Sequence, residues 1–261
     1  MVRVLAPNPG SFTLEGTNTW VVGHGERIVI DPGPDDPAHV QAVLQAAGSV
    51  GAILLTHRHP DHAPGADRLA RLTGAPIYAA SPGEGVRPAE DGDLLQAGGI
   101  ALEVVATPGH SPDHLAFLER GTGALFTGDA VLGQGTSVID PPEGDLSDYL
   151  RSLDRMLQLE PRVIYPGHGP VVEGAVEKIE QYLAHRRERE RQVLRGLEGG
   201  PRTPPDLVPG IYAEYPEDLY AAAARSVLAH LLKLEQEGRV IRAGQGDRFA
   251  LAPPHRSAPS G

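Results

Sequence analysis

The sequence predicts a layered α/β domain with two sheets, followed by a small helical domain that ends in a β-hairpin. Over the first two-thirds of the chain, short apolar segments alternate with turns rich in Gly, Pro and Asp, and amphipathic segments lie between them. The last third has a different pattern, in which helical periodicity is followed by two short β-type segments. The length of 261 residues suits one α/β domain with a small appendage.

The α/β part contains several predicted strands and helices in alternation. The strands are short, apolar and bounded by turn residues: Thr19–Val22, Arg27–Ile30, Ala52–Thr56, Ile77–Ala79, Ala101–Ala106, Leu115–Glu119, Ala124–Thr127 and Arg162–Tyr165. The helices carry apolar residues on one face: Ala38–Ala47, Gly65–Thr73 and Ser147–Leu159. The last of these helices starts after Asp145 and ends before Pro161, which are typical start and stop signals.

The remaining part begins with a longer predicted helix from Glu173 to Gly196. Its middle section, residues 185–191, is charged on all sides, and we interpret this section as a bridge between two domains. A Pro-rich joint at residues 201–209 leads to a further helix over Glu217–Glu237. Two β-type segments then form a predicted hairpin, so the order of elements resembles a winged helix.

These patterns divide the chain into three parts. Residues 1–184 form the predicted catalytic domain. Residues 185–252 form the winged-helix-like domain, with hairpin strands at Arg239–Arg242 and Arg248–Leu251. Residues 253–261 form a predicted disordered tail.

Composition excludes several kinds of chemistry. The chain has no cysteine, which excludes a disulfide, a cysteine nucleophile and a thiolate metal ligand. The sequence shows neither a signal peptide nor an apolar run of roughly 20 residues, so we expect a cytoplasmic protein without membrane contact. The net charge of −11 argues against a broad nucleic-acid surface. This charge is uneven: residues 1–174 carry 10 basic and 22 acidic side chains, whereas residues 175–261 carry 13 and 12.

The strongest local signal is the run His57-Arg58-His59-Pro60-Asp61-His62, which follows a predicted strand directly. It brings several imidazoles and a carboxylate into a very short stretch. His57 and His59 are two positions apart, so in extended chain they point to the same side. Asp61 and His62 then begin a turn that directs them towards a neighbouring point. This density indicates a metal site rather than scattered surface histidines.

Three more candidate ligands, His110, Asp129 and His168, each lie in a glycine-containing turn just past a predicted strand. If these strands share a sheet, the turns gather at one edge of it, and glycine lets the backbone approach a metal closely. Together with the run above, the imidazoles and carboxylates are too many for one tetrahedral zinc ion. They suit two divalent ions that share a bridging carboxylate and a bridging hydroxide, with zinc as the expected metal and manganese or iron as alternatives.

The other histidines fit no such pattern. We interpret five of them as solvated side chains: His24, His39, His185, His230 and His255. His114 lies four residues beyond His110 and is compatible either with lining the pocket or with a structural role. Asp31 ends a predicted strand, and we expect it to orient a metal ligand or the backbone around it.

The motif H-x-H-x-D-H, with separate His, Asp and His in later glycine turns, resembles the metallo-β-lactamase superfamily over residues 18–170. The resemblance implies a four-layer αββα sandwich with two metals at one edge. It also implies which residues hold each ion. One ion has His57, His59 and His110, the other has Asp61, His62 and His168, and Asp129 bridges them. Asp61 is the expected catalytic residue, because it can orient the attacking hydroxide and accept its proton.

A closer resemblance, to the beta-lactamase-like protein 2 family, extends over nearly the whole chain. It is carried by four segments: LEGTNTW at 14–20, TPGHSPDH at 107–114, FTGDAVLGQGT at 126–136 and IYPGHGP at 164–170. The later His185-Arg186 helix is similar too. The resemblance implies a C-terminal winged-helix-like domain and endoribonuclease activity on single-stranded RNA.

Two enzyme classes therefore stay open. The first is a binuclear metal-dependent endoribonuclease that uses a metal-bridging hydroxide, and the alternative is a hydrolase of a small ester or thioester, as in relatives of glyoxalase II. The C-terminal part carries basic side chains that form either a solvated face or a guide for a polyanion such as RNA: Arg225, Lys233, Arg239, Arg242 and Arg248. An aromatic content of 5% opposes RNA, because base stacking needs aromatic side chains. A one-iron redox enzyme and a non-catalytic nucleic-acid-binding module fit the full ligand set less well.

Overall fold

The computed structural model describes residues 1–244 and 246–253. Gln245 of the hairpin loop, His255 and nearly all of the predicted tail lie outside the described residues. Two β-sheets pack face to face, helices cover both outer faces, and a small helical domain with a hairpin follows. The predicted αββα sandwich with a C-terminal winged-helix-like domain is confirmed.

The first sheet has the spatial order β1-β2-β3-β4-β5-β6. Its strands are β1 (Val2–Leu5), β2 (Asn18–Val22), β3 (Glu26–Ile30), β4 (Ser49–Leu54), β5 (Ile77–Ala79) and β6 (Val86–Pro88). The second sheet has the order β11-β10-β9-β8-β7. Its strands are β7 (Leu94–Ala97), β8 (Ile100–Ala106), β9 (Leu115–Glu119), β10 (Ala124–Gly128) and β11 (Val163–Pro166).

The helices of the sandwich lie on the outer faces of the sheets. They are α1 (Pro37–Ala47) and α2 (Gly65–Thr73) on the first sheet, and α3 (Leu146–Gln158) and α4 (Ala175–Leu197) on the second. Strand alternation explains the layers, because successive side chains point to opposite faces. Trp20 and Val22 of β2 join the core between the sheets, whereas Val21 packs against α1 and α2.

Strand direction places the turns that carry the candidate ligands. β10 and β11 are parallel, and β8 runs in the same direction because β9 is antiparallel to both of its neighbours. The carboxyl ends of β8, β10 and β11 therefore meet at one edge. The strands that precede His110, Asp129 and His168 thus share a sheet, whereas β4, which precedes the main ligand run, belongs to the other sheet. The ligand turns therefore meet where the edges of the two packed sheets come together.

The C-terminal part is built on α4. Ile179 and Tyr182 in its first half pack with α3, whereas Val193 and Leu197 near its end join a separate core with the later elements. Those elements are α5 (Pro204–Ile211), α6 (Tyr220–Gln236), β12 (Val240–Arg242) and β13 (Phe249–Leu251). Among the described residues, no helix has both the length and the apolar character that crossing a membrane requires.

The segment interpreted as a Pro-rich joint is largely a helix, α5. Thr203 and Asp206 form a capping box, in which each side chain bonds the other residue's backbone N–H. Pro204 and Pro205 occupy the first turn, where a missing N–H removes no helical hydrogen bond. Proline at these positions favours the start of a helix, so this Pro-rich segment is helical where an irregular joint was expected.

Two of the histidines interpreted as solvated are buried, His39 and His230. His230 is 1% exposed, and neither of its ring nitrogens has a hydrogen-bond partner in the described structure. Arg186, from the section expected to be charged on all sides, is 4% exposed. Its guanidinium donates to the carbonyl of Ser137 and lies 5.3 Å from the centre of the Tyr149 ring. The section at residues 185–191, interpreted as a bridge between two domains, thus contributes polar side chains to the protein interior.

We expect His230 to make folding sensitive to acid. Burial, and then the positive charge of Arg186, lower the pKa of His230 well below its ordinary value. The unfolded chain therefore binds a proton more readily, so the stability is complete above about pH 6.5 and falls as the pH drops further. When the pH falls from about 7.5 to about 5.5, the unfolding free energy of both proteins should drop. Urea titrations should show a drop that is roughly 1 kcal/mol smaller in His230→Leu than in the wild type.

The control for this prediction is His24→Leu, because His24 is an exposed histidine. Its pH dependence should equal that of the wild type. An unchanged pH dependence in His230→Leu would show that His230 can be protonated without cost in the folded chain.

Candidate metal centre

The candidate ligands lie in four loops that follow strand ends. The loop after β4 contributes more ligands than the others, and it carries His57, His59, Asp61 and His62. The other three loops carry one ligand each: His110 between β8 and β9, Asp129 directly after β10, and His168 after β11. The structure brings all seven predicted residues together in groups whose ligand atoms lie within 4.8 Å of one another.

The first group contains His57, His59 and His110. His59 Nδ1 lies 2.9 Å from His57 Nε2 and 3.0 Å from His110 Nε2. Three ring nitrogens thus converge on one point, on the side of the loop that faces a cavity. His59 is the most exposed of the three and turns its Nε2 towards Glu143 Oε1, at 3.4 Å.

The second group contains Asp61, His62 and His168. The Nε2 atoms of the two histidines are 3.2 Å apart, and Asp61 Oδ2 lies 3.4 Å from His62 Nε2 and 3.1 Å from His168 Nε2. Asp129 stands between the groups. Its Oδ1 lies 3.3 Å from His62 Nε2, and its Oδ2 lies 3.7 Å from His110 Nε2. One oxygen of Asp129 therefore faces each group.

The ring nitrogens that point away from the cluster are held by acceptors. His62 Nδ1 donates to Asp31 Oδ2 at 2.9 Å, His110 Nδ1 donates to the Val138 carbonyl at 2.7 Å, and His168 Nδ1 donates to the Gly16 carbonyl at 3.1 Å. Each contact places a proton on Nδ1 and directs Nε2 inward, where it is the nitrogen available to a metal ion. This is how metal-binding histidines are usually oriented in proteins.

Asp31 organises the start of the main ligand loop, as the sequence predicted. Its Oδ1 accepts the Thr56 N–H at 2.8 Å, and its Oδ2 accepts the Thr56 hydroxyl at 2.7 Å as well as His62 Nδ1. Since the Thr56 hydroxyl donates to Asp31, it is free to accept from His57 Nδ1, 2.9 Å away. Asp31 thus fixes one histidine of each group.

His114 has a structural role. It is buried, its Nδ1 lies 2.8 Å from the Thr107 hydroxyl, and its Nε2 accepts the backbone N–H of Asp129 at 3.1 Å. Gly167 shows why glycine is needed beside His168. A Cβ at this position would lie 2.6 Å from Asp129 Oδ1, so any side chain there would fill the space between ligands.

The electrostatics of the cluster fit a cation. Burial would lower the pKa of His62, but the carboxylates of Asp129 and Asp31 raise it well above its ordinary value. Burial would also lower the pKa of His168, but the nearby carboxylates of Asp129 and Asp61 raise it to about 9. Protons on the histidines thus balance carboxylates that are crowded together.

The carboxylates shift in the opposite direction. Burial would raise the pKa of Asp61 and that of Asp129, but His62 and His168 hold both pKa values well below the ordinary range. Asp129 Oδ1 is buried and accepts no hydrogen bond in the described structure. A buried carboxylate oxygen in that state needs a positive partner. The residues present therefore suit divalent metal ions, which would take over this charge balance.

Several supporting residues escaped the sequence analysis. The side-chain amide of Asn18 donates to the carbonyls of Pro166 and Gly169, which flank His168, at 3.0 and 2.8 Å. Glu143 faces His59 from the opposite side of the cavity. Asn18 lies within the motif at 14–20, so that resemblance was a signal for it. Nothing in the local sequence pointed to Glu143.

The fold and this site define a class of protein, and comparison with known proteins agrees. Residues 12–168 match the metallo-beta-lactamase superfamily, and residues 203–248 match the beta-lactamase associated winged helix domain. The chain belongs to the metallo-beta-lactamase superfamily. It is a hydrolase of that superfamily with a His/Asp metal-binding cluster.

Individual relatives narrow the comparison. A beta-lactamase-like protein 2 homolog of Drosophila melanogaster is 38% identical over 265 residues, which cover 92% of this chain and 89% of that protein. An atrochrysone carboxyl ACP thioesterase of Aspergillus fumigatus is 35% identical over 276 residues, covering 96% and 86%. A metallo-beta-lactamase family protein of Thermus thermophilus has a similar crystal structure, with a TM-score of 0.81, 25% identity and coverage of 96% and 98%. Another solved neighbour, in a di-iron-bound form, has a TM-score of 0.56 and 30% identity, covering 68% and 96%.

Replacing Asp31 by asparagine tests its role in orienting the ligands. An amide nitrogen cannot accept a hydrogen bond, so either Thr56 N–H or His62 Nδ1–H loses its partner. We expect Asp31→Asn to bind zinc about 10- to 100-fold more weakly, measured by competition with a chromogenic chelator. Asp35→Asn is the matched control, because Asp35 is a surface residue that pairs with Arg68. Equal affinities for the wild type and Asp31→Asn would exclude the orienting role.

Proposed function

We propose that the protein is a two-metal hydrolase of acyl thioesters. The observation that carries this proposal is the cavity above the ligands, of about 460 Å³. Besides the ligands, most of its lining residues are apolar: Phe12, Pro60, Leu132, Val138, Pro141 and Pro142. Its charged lining residues are mainly acidic, Asp140 and Glu143 among them. An uncharged apolar substrate fits these walls, and a polyanion does not.

The proposed cofactor is a pair of divalent metal ions, with zinc as the expected metal. The groups described above suit one ion at His57, His59 and His110 and another at Asp61, His62 and His168, with Asp129 between them. Two ions there would lower the pKa of water to near 7 and stabilise negative charge on the carbonyl oxygen. Nitrogen and oxygen ligands also suit iron or manganese, and one structural neighbour is described in a di-iron-bound form.

The chain itself supplies a base and a binding surface. Asp61 faces the cavity, and its side chain is 26% exposed. Its carboxylate is placed to orient the water that attacks the thioester carbonyl and to accept its proton. The C–S bond then breaks, and the products are a carboxylic acid and a thiol. A thiolate leaves readily because a thiol has a pKa of about 8.5.

The leaving group distinguishes thioesters from RNA. An alkoxide released from RNA needs a proton donor, and the neutral lining residue that could act as one is the Ser137 hydroxyl, 3.4 Å from His110 Nδ1. A thiolate needs no such donor. One relative is named as a thioesterase, which supports the same choice.

Endoribonuclease activity is the second candidate, and it rests on the resemblance to the beta-lactamase-like protein 2 family. The basic side chains of the C-terminal part, considered as a guide for a polyanion, are mostly neutralised within the chain. Arg225 pairs with Asp140, Lys233 and Arg239 both pair with Glu190, and Arg242 pairs with Glu235. Cations held in such pairs are less available to phosphate groups, so these contacts favour the thioester.

Metal analysis tests the two-metal assignment. We expect the purified wild type to contain two zinc ions per chain. Asp129→Ala should contain fewer and lose activity by about 100-fold or more, because it removes the carboxylate that faces both groups. Elemental analysis and single-turnover rates are the measurements. Full turnover by Asp129→Ala would contradict a two-metal mechanism.

Hydrolysis of acetyl-N-acetylcysteamine tests the reaction. Thiol release is followed with a thiol reagent, and the absence of cysteine in the chain removes any background from the protein. We expect metal-dependent turnover that falls by about 100-fold or more in His59→Ala from the same preparation scheme. A labelled single-stranded RNA is incubated in parallel. Cleavage of RNA by the wild type but not by His59→Ala, without thioester hydrolysis, would replace the thioesterase by a nuclease.

A further inference from the structure

A second cavity lies against the C-terminal domain. It has a volume of about 670 Å³, within the range typical of small-molecule sites. One wall is formed by Pro141 and Pro142, and the opposite wall by α5 and α6. Ala224, Leu228 and Leu232 are spaced four residues apart on α6, so they form one stripe along a single helix face. This stripe is only partly buried in the folded chain.

The second cavity adjoins the cavity at the metal centre. The linings of both include Pro141, Pro142 and Arg225. Arg225 projects from α6, and its guanidinium donates to the carboxylate of Asp140 and to the carbonyl of Pro141. Arg225 therefore stands between the two cavities, with its charge neutralised by Asp140.

The chemistry of the walls indicates what can lie in this space. Proline rings and leucine side chains present hydrocarbon surface. The charged residues among its lining are Arg225, Arg242 and Asp247, and the two arginines are already paired with carboxylates. A flexible hydrocarbon chain gains from burial against such walls, whereas a charged chain would lose water without gaining a partner.

We infer that this groove, formed by residues 141–142, α5 and α6, binds the acyl chain of the substrate. The inference rests on the proposed thioesterase function. With the thioester carbonyl at the ligand cluster, an extended acyl chain passes Arg225 and lies along the stripe of Ala224, Leu228 and Leu232. The C-terminal domain then selects substrates by chain length, and the metal centre is indifferent to it.

A series of thioesters from acetyl to decanoyl-N-acetylcysteamine tests this inference in the metal-loaded full chain. We expect kcat/KM of the wild type to rise by about two- to fourfold per added methylene, because each methylene that enters the groove leaves water. Ala224→Trp fills the groove. It should lower the ratio of decanoyl to acetyl kcat/KM by about tenfold or more.

The matched control is Ala222→Trp, because Ala222 is exposed and lies two residues away, on the other side of α6. It should keep the wild-type ratio. Acetyl hydrolysis with no dependence on chain length would overturn the acyl groove and leave the thioesterase proposal intact. The same slope in the wild type and in Ala224→Trp would mean that the chain binds elsewhere. Failure of every thioester would overturn the proposed function, and the groove assignment with it.

Discussion

The buried carboxylate of Asp31 is the constraint on which the metal centre depends. It lies directly after β3 and ties the backbone and hydroxyl of Thr56 and the ring of His62 to the first sheet. A buried carboxylate is tolerated only when its oxygens are hydrogen-bonded, so the ligand loop has little freedom where it begins. Asp31 has a φ of 48°, an uncommon conformation for a residue with a side chain, and these hydrogen bonds offset its strain.

The same dependence extends across the sandwich, because the ligands come from both sheets. Each ligand group combines side chains from the loop after β4 with one from the second sheet, so the spacing of ligands within a group is set by how the sheets pack. Trp20 of β2 connects the two sheets. Its ring contacts Phe126 and Tyr165 of the opposite sheet, and its Nε1–H donates to the Pro166 carbonyl at 3.0 Å. That carbonyl also accepts from Asn18. The core between the sheets and the loop of His168 are thus one connected structure.

The sequence was informative where a pattern is local. Apolar strands, capped helices and the seven clustered residues were all predictable, because strand ends and metal ligands leave short signatures. Three strands were missed, β1, β6 and β7, because they are short and largely exposed and so lack alternation. Burial of His230 and Arg186, and the placement of Glu143 opposite His59, depend on residues far apart in the chain. No local pattern encodes such contacts, and an acidic cavity wall is therefore visible only in three dimensions.

Helix α4 passes without a break from the core that supports the metal centre into the core of the C-terminal domain. Melting either core would release half of a helix that the other core requires, so we expect the two parts to unfold as one cooperative unit. Stabilisation of one core then raises the unfolding free energy of the whole chain. An ion that binds only the folded catalytic part raises the melting temperature of the hairpin at the far end as well.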